Sequence, residues 1–232
     1  MTTTLSIAIG LAALSTAARA DWTGKGELGF VQASGNTSNS TLDAKLKLSN
    51  AWDVWKETLD LEALRAATNG VDTAQRYLAT SQTDYALTER SFLFGNLAYR
   101  RDKFSGFTYQ LDASTGYGYK LIDTKTEKLS TQMGVGYGRL QYQNTDQTKS
   151  NAVVTAGLDY ENALTDTTKV VDKFGYTAGS ANQLMHNFLG LEVKMTTALA
   201  LSVGLDIQHN SNPPAPKKTT DTLTTVNLVF GF

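Results

Sequence analysis

The sequence predicts an all-β protein, a transmembrane antiparallel β-barrel of about twelve strands. Three observations carry that reading. Apolar and polar residues alternate with a period of two over most of the chain after residue 20, and little of it has a helical period. The alternating segments are longer than the roughly 5–6 residues usual for soluble strands, and long enough for the roughly 9–11 residues of a tilted membrane crossing. Aromatic residues gather near segment ends, as in the two interfacial girdles of an outer-membrane barrel.

Twelve segments are expected, near 22–34, 37–50, 55–68, 75–88, 91–101, 106–120, 127–142, 150–162, 168–179, 184–196, 198–210 and 221–232. In the second, "LDAKLKL" sets Leu42, Ala44, Leu46 and Leu48 against Asp43, Lys45 and Lys47. In the fifth, "SFLFGNLAYR", Phe92 and Phe94 oppose Leu93 and Leu97, so its dry face is left open. In the sixth, "FTYQLDASTGYGY" sets Phe107, Tyr109, Leu111, Ala113, Tyr117 and Tyr119 against Gln110, Asp112, Ser114, Gly116 and Gly118. The ninth, "KVVDKFGYT", is irregular because Asp172 falls on its apolar side. In the eleventh, "LALSVGLDI" sets Leu199, Leu201, Val203, Leu205 and Ile207 against Ala200, Ser202, Gly204 and Asp206. The last, "TLTTVNLVFGF", points Val226, Leu228, Phe230 and Phe232 toward lipid and closes the barrel against the first strand. Trp22, Trp52, Trp55, Tyr99, Phe104, Phe107, Tyr119, Tyr142, Tyr160, Phe230 and Phe232 are the girdle candidates; Trp22, Trp52, Trp55, Tyr119, Phe230 and Phe232 are the chosen membrane-interface set.

Connections alternate too. "NAWDVW", "LTER", "LIDTKT", "NALTDT" and "MTTAL" read as tight turns at one end, whereas "QNTDQTK" (143–149) and "QHNSNPPAPKKTT" (208–220) read as longer polar loops at the other. "SGNTSNST" reads as a turn at that second rim, with Gly35 and Asn36 supplying positive φ.

Composition narrows the function classes. Lys plus Arg number 21 and Asp plus Glu 22, a net charge of −1 that argues against a nucleic-acid binder. Cysteine is absent, which excludes thiolate metal sites and thiol catalysis and suits passage through an oxidising compartment. "MTTTLSIAIGLAALSTAARA" has an apolar run from Leu5 to Leu14 and then Ala18-Arg19-Ala20, the pattern of a cleaved signal peptide spanning residues 1–20, although its first residues carry no Lys or Arg. Residues 21–232 would then form the barrel domain, exported to a bacterial outer membrane, with net charge 20 − 22 = −2. No cofactor or metal is expected: His186 and His209 are the only histidines and lie far apart in sequence.

The wet face carries the most chemistry. Lys25, Glu27, Asp43, Lys45, Asp60, Glu62, Asp112, Lys120, Glu192 and Asp206 are the leading lumen-lining candidates, joined by Lys47, Asp84, Lys128, Asp159, Glu161, Lys173 and Lys194. Either they pair across the barrel and plug it, or they line a narrow aqueous pore whose field selects ions. The balance tips toward a filled or constricted lumen, because opposite charges can satisfy one another and Lys and Arg stems fill volume. The leading reading is therefore a structural barrel or a porin-like passage for small ions and polar solutes. His186 falls on this face as well. "GYG" at 116–118 and "GVGYG" at 134–138 look like phosphate loops, but no helix follows them, so they mark places where the sheet bends or bulky lumen side chains approach.

Two other classes compete. His209-Asn210-Ser211-Asn212 resembles the H-x-S-N motif of outer-membrane phospholipase A, although Pro213-Pro214 follow it; that resemblance implies a surface lipid-modifying enzyme using His209 and Ser211. The loop at 208–220 would alternatively serve a binding protein.

"DWTGKGELGFVQASGNTSNSTLDAKLKL", "FLFGNLAYRRDKFSGFTYQ" and the closing "NPP…KKTTDTLTTVNLVFGF" together resemble the YdiY-like family, known as salt-induced outer membrane proteins and formally a domain of unknown function. The resemblance covers essentially the whole chain after the signal peptide. Its most specific parts are the Trp-x-Gly start with Ser34-Gly35-Asn36-Thr37, and the run Tyr99, Arg101, Asp102, Phe104 and Gly106. It implies an outer-membrane barrel and carries over no catalytic residue. A terminal Phe232 further resembles the signal read by the barrel-assembly machinery, with Asn227 where that signal usually has Gly. That machinery and outer-membrane lipids are the partners so implied.

Overall fold

The computed structural model describes residues 22–33 and 39–231. The signal-peptide segment 1–20, the Ser34–Thr37 stretch and Phe232 lie outside the described residues. The strands are β1 (Thr23–Ala33), β2 (Asn39–Trp52), β3 (Trp55–Thr68), β4 (Val71–Ala86), β5 (Ser91–Asp102) and β6 (Phe107–Asp123), followed by β7 (Glu127–Tyr142), β8 (Thr148–Ala163), β9 (Thr168–Gly179), β10 (Gln183–Lys194), β11 (Leu199–Asn210) and β12 (Thr220–Gly231). Each pairs antiparallel with its neighbours in sequence, and β12 returns to β1, so the sheet is a closed barrel. Every expected segment is present, with boundaries moved by a few residues.

The turns at one end have a shared chemical cause. In 87–90, 164–167 and 195–198, Thr88, Thr165 and Thr196 each accept two backbone N–H bonds on the side-chain hydroxyl, from the residues two and three positions on. Thr124 does the same for Glu127 N. The hydroxyl replaces backbone partners that a tight reversal would otherwise orphan. Both described termini lie at this turn end.

The opposite, loop end is less elaborate than the sequence implies. The β3–β4 connection is only Asn69-Gly70, with φ of 51° and 78°, the pair of positive values a type I′ hairpin requires. That hairpin lets β4 begin at Val71, earlier than expected. Of the segment 143–149, Thr148 and Lys149 belong to β8 and 143–147 form the connection; among the described connections at this end, 211–219 is the longest.

Alternation of exposure defines the two faces. Leu93 and Leu97 are exposed, while Phe92 and Phe94 point inward, which settles β5. Leu28, Leu42, Leu61, Val135, Leu189, Val203, Val226 and Leu228 stand on the outer wall. Asp172 does lie on that wall, where its carboxylate accepts a 2.6 Å hydrogen bond from Asn187 Nδ2. Phe107 is a correction. A register shift between Phe107 and Tyr109 turns its ring inward, where it is 1% exposed against Leu140, Ala181 and Tyr142. A bulge of this kind moves every side chain beyond it to the other face.

Leu61, midway along β3 on the outer wall, tests this placement. Leu61→Arg is expected to lower stability by about 2–4 kcal/mol, read as a shift in urea-driven unfolding of the protein in lipid vesicles. An unchanged midpoint would mean that this face does not meet hydrocarbon.

Candidate functional site

The inner face is the candidate site. At the turn end, Lys25 on β1 reaches Glu192 on β10 and lies 3.0 Å from Glu27. Lys169 on β9 sits 3.2 Å from the other Glu192 oxygen and 3.5 Å from Glu161. These groups floor an open vestibule of about 570 Å³ whose walls include Thr168, Lys194, Ala200 and Val229. Lys47 and Asp60 approach to 3.9 Å, and Lys120 bonds Asp123 at 3.4 Å near the rim.

Farther in, Asn227 Nδ2 donates to Asp43 at 2.8 Å and to Glu27 at 3.4 Å. This bond passes over Gly29, where a Cβ would strike the Asn227 side chain and come within 2.9 Å of the Val226 carbonyl. It therefore ties β12 to β2 across β1, beside the seam where register is described only from Lys25–Gly231 to Leu28–Leu228. Lys45, which opposes Glu62 in register, is 3.7 Å from Asp43 and stands 4.5 Å over the Phe188 ring. Gly190 and Gly204 flank that ring; a Cβ on Gly190 would come within 2.8 Å of it. Phe92 likewise packs over Gly118, and Phe94 over Gly134, where an added Cβ would come within 2.8 Å of the ring. Of the glycines the sequence singles out, Gly118 and Gly134 thus make room for lumen aromatics, whereas Gly116 and Gly136 lie against the backbone of the neighbouring strand.

Toward the loop end, Arg76 on β4 donates to Asp206 at 3.2 Å and to Gln208 at 3.3 Å on β11. His186 bonds the other Asp206 oxygen at 2.8 Å. β4 and β11 are five positions apart round the ring of twelve, so this contact spans the lumen. Arg100, half-buried on the same face, feels the charges of Arg76, Glu62, Asp112 and Asp102. Above them Gln110 approaches Asn210 at 3.5 Å, again across the barrel. Gln110, Asp112, Gly138 and Asn182 line a small cavity of about 30 Å³ there.

A strap covers this end. Asn182 Oδ1 accepts from Asn212 N at 3.1 Å and Ser211 Oγ at 3.4 Å, and Ser211 Oγ accepts from Gln183 N at 2.8 Å. From that root, 211–219 crosses to the hairpin 103–106 on the opposite side: Pro214 rests on Gly106, and Lys217 Nζ lies 5.3 Å from the Phe104 ring centre. Gly106 has φ of 86° and no space for a Cβ, so glycine is required on both counts.

The ten charged lumen candidates all stand on the inner face. Arg76 and Arg100 were missed. Arg76 lies at the very start of the expected fourth segment, and Arg100 in the strand whose parity the alternation leaves open. Trp22, Trp52, Trp55, Tyr119 and Phe230 are exposed at the turn end, with Trp55 4.8 Å from Tyr85. His209 and Ser211 are not brought together. His209 Nδ1 bonds Thr220 Oγ1 at 2.9 Å, while the Ser211 hydroxyl is engaged with Asn182 and Gln183. A serine nucleophile needs its base within hydrogen-bond reach. Among the described residues, no group of three or more His, Asp and Glu is arranged to hold a metal ion.

A closed antiparallel ring, apolar outside and charged within, defines a transmembrane barrel of the outer-membrane type. The chain belongs to the family described as "Protein of unknown function, DUF481", which matches residues 26–232. It is 25% identical over 216 residues to the uncharacterized protein YdiY of Escherichia coli K12, covering 88% of this chain and 81% of that protein. An outer membrane channel from Pseudomonas putida F1 shares its fold with a TM-score of 0.54 at 11% identity, covering 94% of this chain and 97% of that one. The NanC porin does so with a TM-score of 0.50 at 10% identity, covering 90% and 97%. The translocator domain of NalP from Neisseria meningitidis gives 0.50 at 11%, covering 91% and 87%.

The Arg76–Asp206 contact can be weighed directly. Arg76→Leu should destabilise the barrel by about 3–5 kcal/mol, because it strands a buried carboxylate. The double variant with Asp206→Asn should cost less than the sum of the two single changes. Additive costs in urea unfolding would show that the two groups do not interact.

Proposed function

We propose that this protein is a narrow, charge-lined channel of the bacterial outer membrane, held shut at its loop end. One observation carries the reading: side chains and the 211–219 strap cross the lumen at the loop end, whereas the turn end opens into the vestibule of about 570 Å³. In an outer-membrane barrel the longer loops face outward and the termini lie on the periplasmic side. The closure thus faces the exterior, and the vestibule the periplasm.

Bonded side chains of both signs suit small ions or polar solutes that exchange partners with them. They do not suit a wide, unselective pore. Nothing in the barrel wall needs to move to open such a path, because the closure is made by one loop and by side chains. Entry through a signal peptide and assembly by the barrel-insertion machinery belong to the same proposal.

The experiment is single-channel current in a planar bilayer, after a heat-dependent gel shift confirms folding. The wild type should be silent or show rare small steps. Deleting 213–218 together with Arg76→Ser should give frequent discrete steps, and adding Asp206→Lys should shift their ion selectivity toward anions. A folded deletion variant as silent as the wild type would leave a structural barrel instead of a channel.

A further inference from the structure

Near the loop end, the outer wall of β3–β7 carries arginines where apolar residues would be expected. Arg101 on β5 and Arg139 on β7 are exposed, each flanked by inward-facing neighbours: Arg100 and Asp102 for the first, Gly138 and Leu140 for the second. Arg65 on β3 also faces outward, and its guanidinium is held by Asp72 at 2.9 Å. Arg101 and Arg139 make no ion pair among the described residues. Asp102, next to Arg101 in sequence, and Asp112, next to the Leu111 that opposes Arg139, turn into the lumen.

The surroundings are aromatic. Tyr77 opposes Arg101 in register. Tyr99 stacks on Tyr109 with ring centres 6.4 Å apart, in the space between β5 and β6. Only β6 separates the two arginine strands, and register sets Arg139 level with Tyr99, two residues from Arg101, so the two arginine backbones lie roughly 12 Å apart. An outward arginine costs about 2–4 kcal/mol at the bilayer midplane but about 0–1 near the interface. At this height the long side chains can lift their guanidinium groups to the headgroups while the stems stay on the apolar wall.

We propose that Arg101 and Arg139, with the tyrosines beside them, form a binding site for the phosphorylated headgroup of an outer-leaflet glycolipid. Guanidinium matches phosphate in a bidentate geometry, and a headgroup with more than one phosphate engages both arginines at once. Tyr77, Tyr99 and Tyr109 stand where the sugar rings would meet the wall. The site rests on the membrane placement of the barrel and is independent of whether the lumen conducts.

The test uses the folded protein in phosphatidylcholine nanodiscs containing diphosphorylated, monophosphorylated or fully dephosphorylated lipid A, with retained glycolipid counted by native mass spectrometry. Wild type should retain the diphosphorylated form at least about tenfold better than the dephosphorylated one. Arg101→Gln with Arg139→Gln should abolish that preference, while Lys125→Gln, in the β6–β7 turn at the other end, should keep it. Equal retention of all three glycolipids by the wild type would overturn the site, and this arm needs no variant to fold. Unchanged preference in the folded double variant would overturn it too. Displacement by inorganic phosphate at the glycolipid's own concentration would show that free anion, not lipid, is bound. A chain that fails to enter nanodiscs at all would instead refute the membrane placement.

Discussion

Every backbone N–H and C=O in a hydrocarbon layer must find its partner within the protein, since an unpaired group there costs several kcal/mol. The pairing of β12 with β1 meets that demand, because it removes the last two sheet edges. Once the ring is closed, the period-two backbone has only an inside and an outside, and each residue must be compatible with one of them. Leu42 and Asp43 are adjacent in sequence and opposite in environment for this reason alone. The seam is accordingly where the chain adds a side-chain tie. Asn227 bonds Asp43 across β1, and Gly29 must stay bare to let it pass.

Closure also dictates how the interior is filled. A ring of twelve strands is too wide for neighbouring side chains alone to fill and narrower than the large porins. The long stems and rings of Arg76, Lys45, Gln132 and Phe188 span it from opposite walls. Charges are tolerated there because partners of the opposite sign come from across the barrel. Rings are tolerated because glycines on the same and the neighbouring strand yield the space, as Gly190 and Gly204 do for Phe188. Glycine in a strand ordinarily weakens it; here its missing side chain lets a neighbour pack.

Much of this was legible because alternation is a local signal. The "LDAKLKL" and "LALSVGLDI" segments each declare their faces within a few residues, and the charged residues of the lumen follow. What lay beyond the sequence is non-local. Nothing near Arg76 names Asp206 as its partner, 130 positions on; that pairing comes from ring geometry and register summed over many strands. The Phe107 bulge is invisible for a related reason. An aromatic one residue from a turn fits the outer girdle and the inner cluster equally well by pattern, and only the register with Tyr142 decides. The turn threonines, by contrast, announce themselves, because their hydroxyls act on backbone two and three residues away.

The two ends of the lumen differ in how they are made, and that difference bears on what can move. At the turn end, Thr88, Thr124, Thr165 and Thr196 fix short reversals locally, and the vestibule between them is open. At the loop end, the strap is fixed at its Asn182 root but reaches its far support only through Pro214 on Gly106 and Lys217 over Phe104. Those far contacts join no backbone ladder, so releasing them leaves all twelve strands paired. Moving a strand would instead break hydrogen bonds that hydrocarbon cannot replace. Change in such a molecule therefore falls to side chains and to loops such as this one, and a barrel that must stay rigid in its wall can still be closed at its mouth.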